Sequence, residues 1–337
     1  MTPRIAVLGA GSVGCFVGGM WTHCGIDVTL VGRPSIRDEI AAHGLRLTDH
    51  EGLDRVLAPG DLPFETTPDA LSNAELVVLT VKSNATRDAA GQIAAHASPN
   101  AAVLSLQNGI SNIDILQGAL PGRTVLRGMT GFNVAWMGDG RLHRGTSGLL
   151  AAERQALTEQ LATALAGTPA ALTLSDDPLS LAWGKLLLNL NNAVNALSGK
   201  TLLAELSERS YRRVLAASMR EALSVLEAAG IAPAKVGPLP PNLVPRFVAA
   251  PDFIFNTIGL RLQKIDAHAR SSMADDFAAG RPTEIDSLNG EIVRLAEQIG
   301  RPAPVNAAIM KLVTEAETGG RRDWPGAELL KAVTAGN

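Results

Sequence analysis

Residues 5–14 read Ile5-Ala6-Val7-Leu8-Gly9-Ala10-Gly11-Ser12-Val13-Gly14, an apolar run that stops at a G-x-G-x-x-G turn and opens a helical pattern reaching Cys24. The three glycines are needed for different reasons. The first permits the tight turn, the second lets a pyrophosphate approach the backbone, and the third allows the helix to pack closely on the strand. The helix N-terminus adds amides and the positive end of its dipole for phosphate. Gly9, Ala10, Gly11, Ser12, Val13 and Gly14 are therefore read as a dinucleotide-binding turn, with a purely structural glycine turn as the plainer alternative.

Outward from this turn, short apolar runs alternate with helical patterns. Ile5–Leu8, Val28–Val31, Leu76–Val81 and Val103–Leu106 are continuous apolar stretches, as expected of parallel strands covered on both faces by crossover helices. Leu45–Leu57 reads as a hairpin turning at Glu51-Gly52, and Thr124–Thr130 and Arg141–Leu149 as further strands. From Pro178 the pattern becomes long and helical, over Leu179–Leu197, Leu202–Gly230, Phe253–Ala279 and Thr283–Ile299. Ser175-Asp176-Asp177-Pro178 is a polar turn suited to cap the next helix, so the expected organisation is a cofactor domain over 1–175, a helical domain over 178–318 and a tail over 319–337. Ile231–Asp252 carries six prolines and reads as an ordered or semi-ordered excursion over the surface.

Composition sets the class. The 337 residues suffice for two domains, each with its own core. Aromatics at 4% and a formal net charge of -3 leave neither a stacking surface nor a basic footprint for nucleic acid. No apolar run approaches the length of a membrane span, and a strand begins almost at once, which argues against a cleaved leader. Cys15 and Cys24 lie nine apart in one apparent helix with diverging side chains, so no disulfide is expected and a reducing, cytoplasmic setting fits. The histidines His23, His43, His50, His96, His143 and His268 show no H-x-x-x-H or H-E-x-x-H spacing, and no metal site is expected. The chain also lacks the G-x-S-x-G elbow and the G-x-x-x-x-G-K-[ST] loop, which disfavours hydrolase and nucleoside-triphosphatase readings.

The end of the second strand selects the dinucleotide. NAD-binding folds usually place an acidic residue there for the ribose 2′-hydroxyl, whereas this strand ends Leu30-Val31-Gly32-Arg33. The Arg33 guanidinium suits a 2′-phosphate, and Lys82, on the same rim of the sheet, adds charge; NADP is favoured, against the plainer reading of Arg33 as a solvated surface residue. Asn108, opening the loop after Val103–Leu106, lies on that rim too, where it can meet nicotinamide ribose and substrate, or else serve an Asn-Gly turn.

GAGSVG, Arg33, Thr80-Val81-Lys82, Gln107-Asn108-Gly109, Trp183-Gly-Lys185-Leu-Leu-Leu-Asn189, Ser271-Ser272-Met273 and Thr283-Glu284-Ile285-Asp286-Ser-Leu-Asn289-Gly290 together resemble the ketopantoate reductase (2-dehydropantoate 2-reductase) family, over roughly residues 4–315. The resemblance implies an α/β Rossmann-type N-terminal domain with an all-α C-terminal domain, and NADPH-dependent reduction of ketopantoate to pantoate, for pantothenate and coenzyme A. It assigns to Lys185 the polarising and protonating of the substrate carbonyl, to Glu284 a partnership with Lys185 and the substrate hydroxyls, and to Asn189 and Ser272 substrate binding. Beside those roles stand plainer ones: a solvated helix lysine, a first-turn carboxylate capped by Thr283, and a helix serine bonding its own backbone. Lys185 lies in the apolar run Leu181–Leu188, where an idle charge is costly, and Asn189 is one turn on, on the same face.

The chain departs from the family at one point. An asparagine often found eight residues after the lysine, followed by proline, is replaced by Ala193 and Val194. Asn192 lies seven residues on, close to the stripe of Lys185, and is read as taking over part of that contact. The departure leaves open another branched 2-keto acid or 2-hydroxy acid as substrate, and a non-catalytic NADP-binding regulator is the alternative from another class. A homodimer is a further expectation, with Leu202–Gly230 as a possible surface.

Overall fold

The computed structural model describes residues 2–259 and 269–335. The chain divides into two compact units, Met1–Leu179 and Ser180–Asn337. No helix of the described residues is long and apolar enough to cross a membrane.

The first unit contains strands β1 (Ile5–Leu8), β2 (Val28–Val31), β3 (Leu45–Asp49), β4 (Asp54–Leu57), β5 (Phe64–Glu65), β6 (Leu76–Leu79), β7 (Ala102–Ser105), β8 (Val125–Thr130), β9 (Val134–Trp136), β10 (Arg141–Arg144), β11 (Leu150–Glu153) and β12 (Leu172–Ser175). The larger sheet has the order β12-β11-β8-β7-β6-β1-β2-β5, parallel from β5 through β8, with β11 antiparallel to β8. Side-chain alternation explains the unbroken apolar strands. Ile5, Val7, Leu76 and Val78 enter one core with the helix Ser12–His23, while Ala6, Leu8, Val77 and Leu79 enter a second core with the helices Thr86–His96 and Asn112–Ala119. Each Val, Leu or Ile among them contributes about 1.5–3 kcal/mol by leaving water. Strand order reverses between β1 and β6, so a crevice for ligand opens beyond their carboxyl ends.

Of the expected strand Arg141–Leu149 only Arg141–Arg144 is a strand, β10, and β11 begins just past it at Leu150 in another sheet. β10 joins the small sheet β4-β3-β10-β9, whereas β11 pairs with β8. The switch occurs over Gly145–Gly148, where Gly148 lies so close to the Gly131 backbone that a Cβ would collide with it. Cys15 and Cys24 are both free, and burial pushes the Cys15 thiol up to about 12.

The second unit is helical, and its long patterns break. Leu179–Leu197 is Pro178–Asn189 followed by Asn191–Ser198, interrupted at Leu190, where ψ relaxes to -21°. Leu202–Gly230 is Leu202–Ser207 followed by Arg209–Ala228, because Glu208 between them is extended at φ -104°, ψ 117°. Of the expected helix Phe253–Ala279, Asp252–Gly259 forms helical turns and Ser272–Ala278 a helix; residues 260–268, His268 among them, lie outside the described residues. Thr283–Ile299 begins with the 3-10 turn Ile285–Ser287, and its α-helix starts only at Asn289, since Leu288 takes φ -114°, ψ -92°.

The centre of this unit is Arg209–Ala228, which buries Tyr211, Val214, Leu215, Met219, Val225 and Leu226. Gly326–Thr334, within the expected tail, packs on it with Leu329 and Val333 buried, and the Tyr211 hydroxyl donates to Trp324 O at 2.8 Å. The apolar face expected to supply a dimer surface is thus covered inside the unit.

Candidate active site

In the first unit the glycine turn is held by its neighbours. The amides of Gly9 and Ala10 donate to Val31 O, each at 3.0 Å, and the Thr80 hydroxyl donates to Gly9 O at 2.9 Å. Gly9 has φ +101°, and a Cβ there would lie 2.5 Å from Val81 N; one at Gly14 would lie 2.6 Å from Thr80 Oγ1. Gly11 differs, because its Cβ would meet nothing nearer than Gly9 O at 3.9 Å. Two glycines are therefore required by packing, while the middle one leaves space where a phosphate can approach the chain. The helix Ser12–His23 has no acidic residue in its first turn, so its positive end is not neutralised there. Gly32 belongs to this cradle as well: a Cβ on it would lie 2.8 Å from Ala10 Cβ.

Arg33 is exposed at the N-cap of the helix Pro34–His43, directly beyond β2, and that helix has no acidic residue in its first turn. Lys82 is exposed beyond β6, at the N-cap of a short 3-10 turn. Asn108 is partly buried beyond β7, and its carbonyl accepts from Ser83 Oγ at 3.0 Å and Asn112 Nδ2 at 2.5 Å. A buried network stands behind it. Gln107 Nε2 donates to Val81 O at 3.0 Å and Thr86 Oγ1 at 2.8 Å, Thr86 Oγ1 lies 2.8 Å from Asn112 Oδ1, and Ser105 Oγ donates to Gln107 Oε1 at 3.0 Å. Sequence reasoning missed Ser83, Thr86 and Asn112. The available signal was a cluster of small polar residues just past two adjacent strands. The donors and charges of this rim fit a dinucleotide.

In the second unit Lys185 is partly buried on Pro178–Asn189, flanked by buried Trp183, Gly184, Leu186 and Leu187. Burial pulls its ammonium down to about 8, and the negative charge of Glu284 holds it up. Glu284 sits just before the 3-10 turn, so the expected first-turn helix position is not what it occupies. Its neighbour Thr283 is fixed by donating its amide to Glu317 Oε1 at 2.8 Å. Asn189 is the last residue of the Lys185 helix and is partly buried.

The break at Leu190 separates Asn192 from the helix of Lys185, so an unbroken stripe does not connect them. Ser271 Oγ donates to Asn192 O at 3.1 Å, and the Ser271 amide donates to Asn195 Oδ1 at 2.9 Å. Ser271 is buried and caps Ser272–Ala278, while Ser272 is exposed as its first residue.

Behind Lys185, Gly184 meets the proline-rich segment. A Cβ on Gly184 would collide with Ala234 O and lie 2.9 Å from Val236 Cγ2. The Ala234 amide donates to Ser180 O at 2.9 Å and the Ser180 hydroxyl donates to Ala232 O, so the segment is pinned to this helix. Chemically, the second unit offers a partly desolvated ammonium next to a carboxylate and amide side chains, a set able to polarise and protonate a carbonyl.

Comparison with known proteins agrees with both halves. The family described as ketopantoate reductase PanE/ApbA matches residues 5–154, and its C-terminal counterpart matches residues 178–317. The 2-dehydropantoate 2-reductase of Halobacterium salinarum is 30% identical over 327 residues, covering 94% of this chain and all of the relative. The crystal structure of a PanE/ApbA family ketopantoate reductase from Ralstonia eutropha JMP134 is 30% identical with a TM-score of 0.78, covering 94% of this chain and 98% of that one. D-mandelate dehydrogenase, in a ternary structure with NADH and anilino(oxo)acetate, shares the fold at 22% identity with a TM-score of 0.76, covering 94% and 98%. Matches across both units, at this identity and coverage, show that the chain belongs to the ketopantoate reductase family.

Proposed function

We propose that the chain is an oxidoreductase that reduces 2-dehydropantoate (ketopantoate) to pantoate with NADPH, as a cytoplasmic enzyme. NADPH, when bound on the glycine turn, supplies the hydride to C2 of the keto acid. The chain's own residues do the rest. The Lys185 ammonium hydrogen-bonds the C2 carbonyl oxygen and gives it a proton as the hydroxyl forms; Glu284 keeps that ammonium charged. Asn189, Asn192, Ser272, Asn108 and Glu284 orient the substrate. What supports this reading is the placement of Lys185 among buried apolar residues, with the charge of Glu284 acting on it, in a chain of this family; with burial pulling it down to about 8, the ammonium still holds a proton at neutral pH.

Initial rates with NADPH and NADH, against ketopantoate and a panel of branched 2-keto acids, test cofactor and substrate together. Oxidation of NADPH with ketopantoate as the best substrate is expected; no NADPH oxidation with any of them defeats the reading. The relatives' shared activity favours ketopantoate over another branched 2-keto acid, and a regulator without turnover has no use for Lys185 beside Glu284.

Arg33 carries the NADP preference. Losing a charged hydrogen bond to phosphate removes roughly 1.5–3 kcal/mol, so Arg33→Ala is expected to raise the KM for NADPH by about ten- to a hundredfold and leave that for NADH nearly unchanged. Equal effects on both coenzymes would take Arg33 off the 2′-phosphate. Asn192→Ala is expected to raise the keto-acid KM and not that of NADPH; an unchanged keto-acid KM removes Asn192 from the site. The assembly we propose is a homodimer, measurable by light scattering, with a contact elsewhere than the covered face of Arg209–Ala228.

A further inference from the structure

Glu205, on Leu202–Ser207, is fully buried. Its Oε2 accepts from Asn191 Nδ2 at 3.1 Å and Asn195 Nδ2 at 3.4 Å. Each member of the Glu205–Asn191 pair then has one oxygen left over. Glu205 Oε1 and Asn191 Oδ1 are both buried, and neither has a hydrogen-bond partner among the described residues. With Glu205 ionised, both are acceptors and neither can satisfy the other. A single proton on Glu205 turns one of them into the donor that the other lacks, giving the two-bond pairing that a carboxylic acid makes with a primary amide.

The charges around Glu205 do not compensate an anion. Arg212 is a cation whose charge acts on it, but that guanidinium donates to Val248 O, Leu206 O and Ala250 O at 2.7–2.9 Å and pairs with Asp252 at 2.9 Å. Lys200 pairs with Glu208 at 3.4 Å and lies over the Tyr211 ring. Glu208 and the Tyr211 phenol, also close by, add no positive charge. Burial pushes the Glu205 carboxyl up to about 8, against the Asn191 and Asn195 hydrogen bonds and the Arg212 charge.

We propose that Glu205 is held as a neutral carboxylic acid that donates to Asn191 Oδ1 and acts as a positioning residue for the substrate side of the site. Its two amide partners start and brace Asn191–Ser198, the helix that carries Asn192. Asn195 in turn accepts the Ser271 amide at 2.9 Å and so fixes the residue next to Ser272. The acid thus anchors from behind the elements that bear Asn192 and Ser272. This positioning role rests on the function proposed above, whereas the protonation itself does not.

The experiment compares the full-length wild-type chain with Glu205→Gln, whose amide offers an N–H where the acid has its O–H. A carboxyl raised in the folded state gives stability that is complete below its unfolded pKa and is lost as pH rises toward its folded one. In denaturant unfolding the wild-type folding constant should therefore fall relative to Glu205→Gln by close to tenfold per pH unit, from roughly pH 5 up to about pH 8. At neutral pH the wild type should show the infrared carbonyl band of a protonated carboxyl that Glu205→Gln lacks. Parallel stability curves, no band lost, or failure of Glu205→Gln to fold would each overturn the neutral acid. For the positioning role, Glu205→Ala should raise the keto-acid KM without moving that of NADPH, and Glu205→Gln should restore it; an unchanged KM in Glu205→Ala overturns that part. Lys185 titrates in the same range, so the pH dependence of turnover is not the readout. An enzyme inert toward every keto acid would defeat the functional reading and leave the stability and infrared arms to decide the protonation.

Discussion

Lys185→Ala is expected to lower kcat by about 10²–10⁴-fold, the usual contribution of a positioned proton donor, while NADPH still binds with near wild-type affinity. The second half follows because the glycine turn, Arg33, Lys82 and Asn108 belong to the first unit and Lys185 to the second. The pH profile supplies the sign. In the proposed role turnover needs the ammonium, so wild-type kcat/KM should fall as pH rises through about 8, and the residual rate of Lys185→Ala should not show that limb. Fluorescence titration with NADPH and steady-state rates across pH check both statements. Undiminished turnover in Lys185→Ala would remove Lys185 from the chemistry, and loss of NADPH binding would make its role structural.

Gly9→Ala is expected to cost at least about 3 kcal/mol of stability and to abolish NADPH binding. At φ +101° a side chain is strained, and its Cβ would lie 2.5 Å from Val81 N, a backbone atom just beyond the carboxyl end of β6. Such a clash moves β1 against β6, and with it the crevice where the order of strands reverses. Gly11→Ala provides the contrast. Its Cβ meets no protein atom closer than 3.9 Å, so the variant should fold normally and lose NADPH affinity alone. Thermal melts with and without NADPH separate the two. Equal melting temperatures for Gly9→Ala and the wild type would contradict the packing described for Gly9.

These contrasts also mark what the sequence makes legible. The core strands β1, β2, β6 and β7 are plain in it because strands buried on both faces are apolar at nearly every position, and the glycine turn has a fixed place after the first of them. The helical unit is harder. Leu190 and Glu208 interrupt patterns whose apolar spacing continues through them, and a break that keeps the hydrophobic phase leaves no trace in periodicity. Nor does the sequence show that, of the adjacent serines, Ser271 is the one that caps the helix and is buried while Ser272 is exposed. Glu205 reads as an ordinary helix glutamate, and only the packing of separate helices reveals it as buried. Likewise, Ser83, Thr86 and Asn112 come together through the pairing of β6 with β7, which local spacing does not encode.

Gly184 gives the proline-rich segment a mechanical meaning. The chain at Ala234 presses directly on the backbone one residue before Lys185, and hydrogen bonds at Ser180 tie it down. Proline-rich chain gains this rigidity at small entropic cost, because it has little freedom to lose. The segment thus sets where the backbone under Lys185 lies. If Lys185 serves as proposed, changing the length or the prolines of this segment should shift the keto-acid KM while every side chain proposed to meet the substrate stays as it is.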